Sequence, residues 1–128
     1  MSLHHVSLEI RPQDVERSVE FFEALGFEHV PAPDEIAEYV TWVERGANQV
    51  HFIHTPEATT PPLGHPALVA PDGFDATVAR LRDAGFEVED SRELWGEPRA
   101  FAVMPGGQRV EVMAAPPPAA SGSAGQAA

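Results

Sequence analysis

The chain has 128 residues, of which 43% are hydrophobic, and its 20 acidic against eight basic residues give a net charge of −12. This length is enough for one compact domain with a core, and the negative charge would repel nucleic acids and anionic membranes. Cysteine and lysine are both absent, which excludes disulfides, thiolate zinc sites, cysteine nucleophiles and Schiff-base chemistry.

The first half of the chain predicts one helix among four strands. Residues 3–10 alternate between apolar and polar side chains, and this period of two predicts a strand. Asp14 is a candidate N-cap for a helix that ends near Leu25, just before Gly26. Three further strands are predicted near residues 27–31, 37–45 and 48–54, with "RGAN" as the turn between the last two.

The second half repeats this order after a proline-rich linker at residues 55–64. It predicts a helix at about 74–84, and strands at 65–70, 86–91, 98–104 and 108–114. Each half therefore reads β-α-β-β-β. We predict an α+β fold in which two tandem βαβββ modules form a curved, mostly antiparallel sheet with the helices on its outer face.

These elements form a single predicted domain over residues 1–115. Module one covers residues 1–55 and module two covers residues 65–115. The Pro-, Ala-, Ser- and Gly-rich stretch at 116–128 has little to bury and predicts a disordered tail. The sequence has neither a membrane-spanning apolar run nor a secretory signal pattern, so a soluble cytoplasmic protein is expected.

Four potential metal ligands recur at equivalent positions of the two halves. When the halves are aligned on their first strands, His5 falls opposite His65. His51 follows His5 by 46 residues, and Glu111 follows His65 by the same 46 residues. Apolar neighbours flank most of these side chains, so the polar groups are expected on the sheet face opposite the helices.

Imidazole and carboxylate side chains are ligands for borderline divalent metals. The set predicts one divalent first-row ion (Zn, Ni, Co, Mn or Fe) on the inner surface of a curved sheet. Three neutral imidazoles and one carboxylate would leave a net positive charge on that ion, which would attract an anionic or enolate oxygen of a substrate.

Four segments of the chain resemble the vicinal oxygen chelate superfamily, which includes glyoxalase I, methylmalonyl-CoA epimerase, extradiol dioxygenases and fosfomycin-resistance proteins. The segments are "LHHVSLEI", "SVEFFEALGFE", "GHPALVAPD" and "PRAFAVMPGGQRVEVMA", and together they cover about residues 3–115. In that family, two βαβββ modules surround one metal ion, with ligands from the first and last strand of each module. The resemblance implies the metal ligands His5, His51, His65 and Glu111.

The resemblance also implies a metal-dependent lyase or isomerase that chelates two neighbouring oxygens of a small substrate and stabilises an enediolate or enolate. Glu111 would be a ligand and also the catalytic base, by analogy with glyoxalase I. His51 departs from that pattern, because glyoxalases and epimerases usually have Glu or Gln at this position. Two alternatives remain open. They are an Fe(II) extradiol-type dioxygenase using His5, His65 and Glu111, and a non-catalytic drug-binding protein of the bleomycin-resistance type.

Five further residues are candidates for contact with the substrate. Ser7 and Glu9 share a strand face with His5, although they could simply line the sheet. Trp42 and Phe101 could form an apolar pocket wall or belong to the core. Arg99 could pair with a substrate carboxylate or lie on the surface. A homodimer is expected from the family, and the linker permits a site closed within one chain or exchanged between two.

Overall fold

The computed structural model describes residues 2–119, which contain eight strands, two α-helices and a short 3-10 helix at Pro12–Asp14. In chain order the strands and α-helices are β1 His5–Ile10, α1 Val15–Ala24, β2 Glu28–Val30, β3 Val40–Arg45, β4 Asn48–His54, β5 Ala67–Val69, α2 Phe74–Asp83, β6 Val88–Leu94, β7 Glu97–Val103 and β8 Arg109–Met113. The predicted tail at 116–128 lies mostly outside this range, and residues 116–119 have neither helix nor strand.

The strands form two four-stranded sheets with the same topology. The strand order is β1-β4-β3-β2 in module one and β5-β8-β7-β6 in module two. In each sheet the first and last strands of the module pair in parallel, and the remaining pairs are antiparallel. The predicted α+β fold with two tandem βαβββ modules is confirmed, and each module has a sheet of its own.

Element boundaries differ from the prediction where turns compete with strands. Residues 34–39 form successive turns, in which the Tyr39 amide donates to the Ile36 carbonyl at 3.0 Å, so β3 begins at Val40 instead of near residue 37. Asp14 does precede α1, but its carboxylate accepts a hydrogen bond from Arg11 at 3.2 Å and caps no helix amide. Gly26 follows α1 with a φ of +88°, a conformation that favours glycine.

One hydrophobic core joins the two modules in the described part of the chain. It contains the apolar rows of both sheets and the inward faces of α1 and α2, which contact each other. Phe21 of α1 packs edge-to-face on Phe86 of module two, with ring centroids 5.2 Å apart. Because this side of each sheet is covered, the opposite faces point away from the shared core.

The two helices also exchange arginine hydrogen bonds at their C-terminal ends. Arg17 of α1 donates to the Ala84 carbonyl at 2.9 Å, and Arg80 of α2 donates to the Ala24 carbonyl at 2.9 Å. A cation at this end of a helix also interacts favourably with the helix dipole. Asp72 accepts two hydrogen bonds from Arg80, which lower the pKa of its carboxyl group. Neither helix is long and apolar enough to cross a membrane.

Candidate functional site

Three aromatic rings stack on the open face of module one. His5 of β1 and His51 of β4 lie face to face, with centroids 3.9 Å apart and planes 17° apart. Trp42 of β3 pairs with His51 across the sheet and stacks on its other side at 4.3 Å. The predicted juxtaposition of His5 and His51 therefore occurs, and we call this pair the first half-site.

Hydrogen bonding sets the tautomer of His51. The Gln49 amide donates from Nε2 to Glu44 at 2.9 Å, which leaves its Oε1 to accept from His51 Nε2 at 2.8 Å. Burial lowers the pKa of His51, and the neighbouring His5 and His4 add to this effect. The ring is therefore neutral at pH 7, with its free lone pair on Nδ1. Gln49 was not predicted, although the two-residue spacing places it on the same strand face as His51.

The second half-site is the pair His65 and Glu111 in module two. Glu111 lies on β8, but His65 lies two residues before β5, because that strand begins at Ala67 and not at residue 65 as predicted. His65 Nε2 lies 3.1 Å from Glu111 Oε1, and its Nδ1 donates to the Leu63 carbonyl at 2.8 Å. With Nδ1 protonated, a neutral ring leaves an acceptor on Nε2 facing the carboxylate oxygen. Two acceptors this close are stabilised by a proton or a cation held by both.

Two predicted substrate contacts surround this second pair. Arg99 of β7 donates from Nη1 to Glu111 Oε2 at 3.1 Å, so the arginine contacts a protein carboxylate. Phe101 meets the His65 ring edge-to-face at 4.9 Å and pairs with Glu111 across the sheet. Phe101 pairs with Glu111 as Trp42 pairs with His51, so an aromatic ring lies at the equivalent position beside each half-site.

The other two candidates lie on β1. Ser7 is exposed on the open face and lies opposite His51 in the strand register. The Glu9 carboxylate accepts hydrogen bonds from the amide and hydroxyl of Thr59 at 3.0 and 3.2 Å. It therefore fastens the linker to the sheet, a contact between distant residues that strand periodicity does not reveal.

The four predicted metal ligands form two pairs, and one chain does not gather them into a single group. Among residues 2–119, no three His, Cys, Asp or Glu side chains lie close enough together to hold one ion. Two ligand atoms that each lie about 2.1 Å from an ion, with an angle of about 90° at the ion, are about 3 Å apart. The 3.1 Å between His65 Nε2 and Glu111 Oε1 in the second half-site therefore fits a metal. The first half-site fits only partly. Imidazole lone pairs lie in the ring plane, so those of two stacked rings run nearly parallel.

We expect the free energy of unfolding to fall as the pH drops below 6.5, the reference pKa of histidine. His54, whose Nε2 lies 2.8 Å from the Thr41 hydroxyl, has a pKa lowered by burial, as has His51. As the pH falls, these two histidines therefore bind protons at a higher pH in the unfolded chain than in the folded protein, and this favours unfolding. Urea unfolding at pH 7.5 and 5.5 measures this loss, which should be smaller in His54→Gln than in the surface control His29→Gln. Equal losses in the two variants would contradict the assignment to His54.

Comparison with known proteins gives both a family and structural neighbours. No curated protein sequence matches the chain. A glyoxalase family protein from Bacillus anthracis has a TM-score of 0.77 at 23% identity, covering 88% of this chain and 93% of that one. The oxidase ChaP-H2 has a TM-score of 0.70 at 21% identity, covering 91% and 94%.

A lactoylglutathione lyase from Agrobacterium tumefaciens has a TM-score of 0.66 at 19% identity, covering 88% of this chain and 92% of that one. At these identities the neighbours show the fold alone. The family model covers far more than half of the chain, since it matches residues 2–112. Together with the duplicated modules and their equivalent polar pairs, this match shows that the chain belongs to the Glyoxalase/Bleomycin resistance protein/Dioxygenase superfamily.

Proposed function

We propose that this protein is a metal-dependent lyase or isomerase of the glyoxalase type, acting on a small substrate with two neighbouring oxygens. The observation that carries the proposal is the second half-site. There His65 Nε2 and Glu111 Oε1 lie 3.1 Å apart, and the Leu63 carbonyl accepts from His65 Nδ1, which leaves Nε2 as the ring nitrogen that would bind a metal. The family and the lyase among its structural neighbours agree with this reading.

The ion would be held by His5, His51, His65 and Glu111. A bound divalent first-row ion supplies Lewis-acid stabilisation of negative charge on the substrate oxygens. The rings of Trp42 and Phe101 stand beside the two pairs and would line the substrate pocket. Ser7 would offer a hydroxyl to the substrate from the same open face as His51.

We further propose that a second copy of the chain completes the site. Each half-site lies on a sheet face that points away from the core, and exposed apolar side chains adjoin both pairs. Leu3 and Leu63 stand two residues before His5 and His65, and they are 74% and 83% exposed. A second copy seated on these faces would bury both leucine side chains. A homodimer would place the first half-site of one copy against the second half-site of the other.

Metal content tests the proposed function. We expect protein purified without added metal or chelator to contain a first-row ion, at about one per chain because each chain contributes one full ligand set. Glu111→Gln and His65→Ala should lose most of it, since the first replaces an anionic oxygen donor by a weaker neutral one and the second removes a nitrogen donor. His29→Ala, an exposed histidine away from both pairs, is the matched control. Wild-type protein that stays metal-free after dialysis against Zn, Ni, Mn and Fe(II) would refute the proposal and favour a non-catalytic binding protein.

An Fe(II) dioxygenase is the second candidate, and the state of His51 favours it. His51 is stacked on both sides, by His5 and Trp42, and donates from Nε2 to Gln49, whereas His5 is stacked on one side only. In this candidate His5, His65 and Glu111 would hold the ion. Two histidines and one carboxylate are the donor set of non-heme Fe(II) oxygenases. If His51→Ala retains the metal and the metal is iron, this candidate replaces the first. Zn, Ni or Co lost in the same variant supports the lyase or isomerase.

A further inference from the structure

We propose that Arg99 is a positioning residue that fixes the Glu111 carboxylate, so that Glu111 serves as a stationary ligand. The inference rests on the proposed function. It gives Arg99 a different task from binding a substrate carboxylate.

The contact between the two side chains is direct and shielded. Arg99 and Glu111 lie on the adjacent antiparallel strands β7 and β8, where Glu111 is opposite Phe101 and Arg99 is one diagonal step away. Arg99 Nη1 is 3.1 Å from Glu111 Oε2, and the two side chains are only 12% and 11% exposed. Solvent and salt therefore screen this ion pair far less than a surface pair.

The guanidinium group is itself held in place. Its Nε donates to the Arg92 carbonyl at 3.1 Å, while Nη1 donates to Glu111. Hydrogen bonds on two sides restrict the rotation of the group. The carboxylate that receives it is restricted in turn, because its other oxygen faces His65 at 3.1 Å.

The two carboxylate oxygens of Glu111 have different partners. Oε2 accepts a hydrogen bond from Arg99, and Oε1 faces His65 Nε2 and is the oxygen that would bind the ion. A glutamate that left this position would leave Arg99 largely buried without its counter-ion, which is costly. Glu111 is thereby suited to stay where it is.

Arg109 provides a matched control for Arg99. It lies on β8, two residues before Glu111 and on the same strand face. Its guanidinium lies 4.0 Å above the Phe101 ring, while that of Arg99 lies 5.7 Å from the same ring. Arg109 is more exposed and its nearest acidic partner is Glu89, at 3.8 Å. Replacing either arginine removes one positive charge beside Phe101, and only Arg99 bonds to Glu111.

The experiment is a Co(II) titration of the full-length protein, followed by calorimetry and by visible absorption. We expect Arg99→Met to weaken Co(II) binding by about 10- to 100-fold, as loss of an outer partner of a metal ligand typically does, and to change the Co(II) spectrum. Arg99→Lys should recover most of the affinity, and Arg109→Met should match wild type. Wild-type affinity and spectrum in Arg99→Met would overturn the inference.

A second measurement needs no metal, so it tests the role of Arg99 independently of the proposed metal-dependent function. Urea unfolding of metal-free Arg99→Met, Glu111→Gln and the double variant forms a cycle that measures the coupling of the pair. We expect the drop in urea midpoint caused by Arg99→Met to shrink by at least about half when Glu111 is already replaced, because the contact is then gone. Additive drops would overturn the positioning role. Wild-type protein that binds no Co(II) would refute the proposed function, and the cycle would still decide the role of Arg99.

Discussion

Mixing the His5→Ala and Glu111→Gln proteins is expected to restore metal binding that neither variant has alone. Each variant loses one half-site and keeps the other. If the site forms between two copies, a mixed dimer joins the intact first half-site of one chain to the intact second half-site of the other. Random pairing makes about half of the dimers mixed, each with one of its two sites intact, so about a quarter of wild-type metal content should return.

The experiment requires the two variants to exchange subunits, which co-expression or joint refolding provides. Elemental analysis before and after mixing measures the gain. The matched control is a mixture of His65→Ala and Glu111→Gln, in which both chains lack the second half-site and no combination can restore it. If the His5→Ala and Glu111→Gln mixture gains no metal although mixed dimers are present, the site does not lie between two copies.

Phe21→Ala is expected to lower the free energy of unfolding by about 3–5 kcal/mol, the usual cost of removing a buried phenylalanine. Phe21 is fully buried on α1, where its ring packs edge-to-face on Phe22 and Phe86. The contact with Phe86 joins the modules, so we expect both to lose stability together. Urea unfolding followed by fluorescence in variants that keep a single tryptophan reports on each module, because Trp42 belongs to module one and Trp95 to module two.

Tyr39→Ala serves as the control for this substitution. Tyr39 also carries an aromatic ring, but it is exposed, so its removal should cost less than about 1 kcal/mol. A loss below that value in Phe21→Ala would contradict its place in the core. Separate unfolding transitions for the two tryptophans would contradict the view that one core stabilises both modules.

Periodicity and spacing revealed most of the fold and the composition of the candidate site. The alternation in β1 separates His5, Ser7 and Glu9 from the apolar row, and the structure places these two sets on opposite faces as predicted. The 46-residue spacing identified His5 with His65 and His51 with Glu111, and each predicted module supplies one pair. These features are local or repeat along the chain, so a single sequence contains them.

Contacts between distant residues were decided only by the tertiary structure. The linker contact from Thr59 to Glu9 and the ion pair from Arg99 to Glu111 depend on which strands become neighbours and in what register. The same holds for the separation of the four predicted ligands into two pairs, because it depends on which sheet faces the shared core covers. The sequence by itself determined the two modules and their polar residues. Packing between the modules decided which of those residues meet, since burial of the helices and apolar rows leaves the polar faces of the two sheets pointing away from the common core.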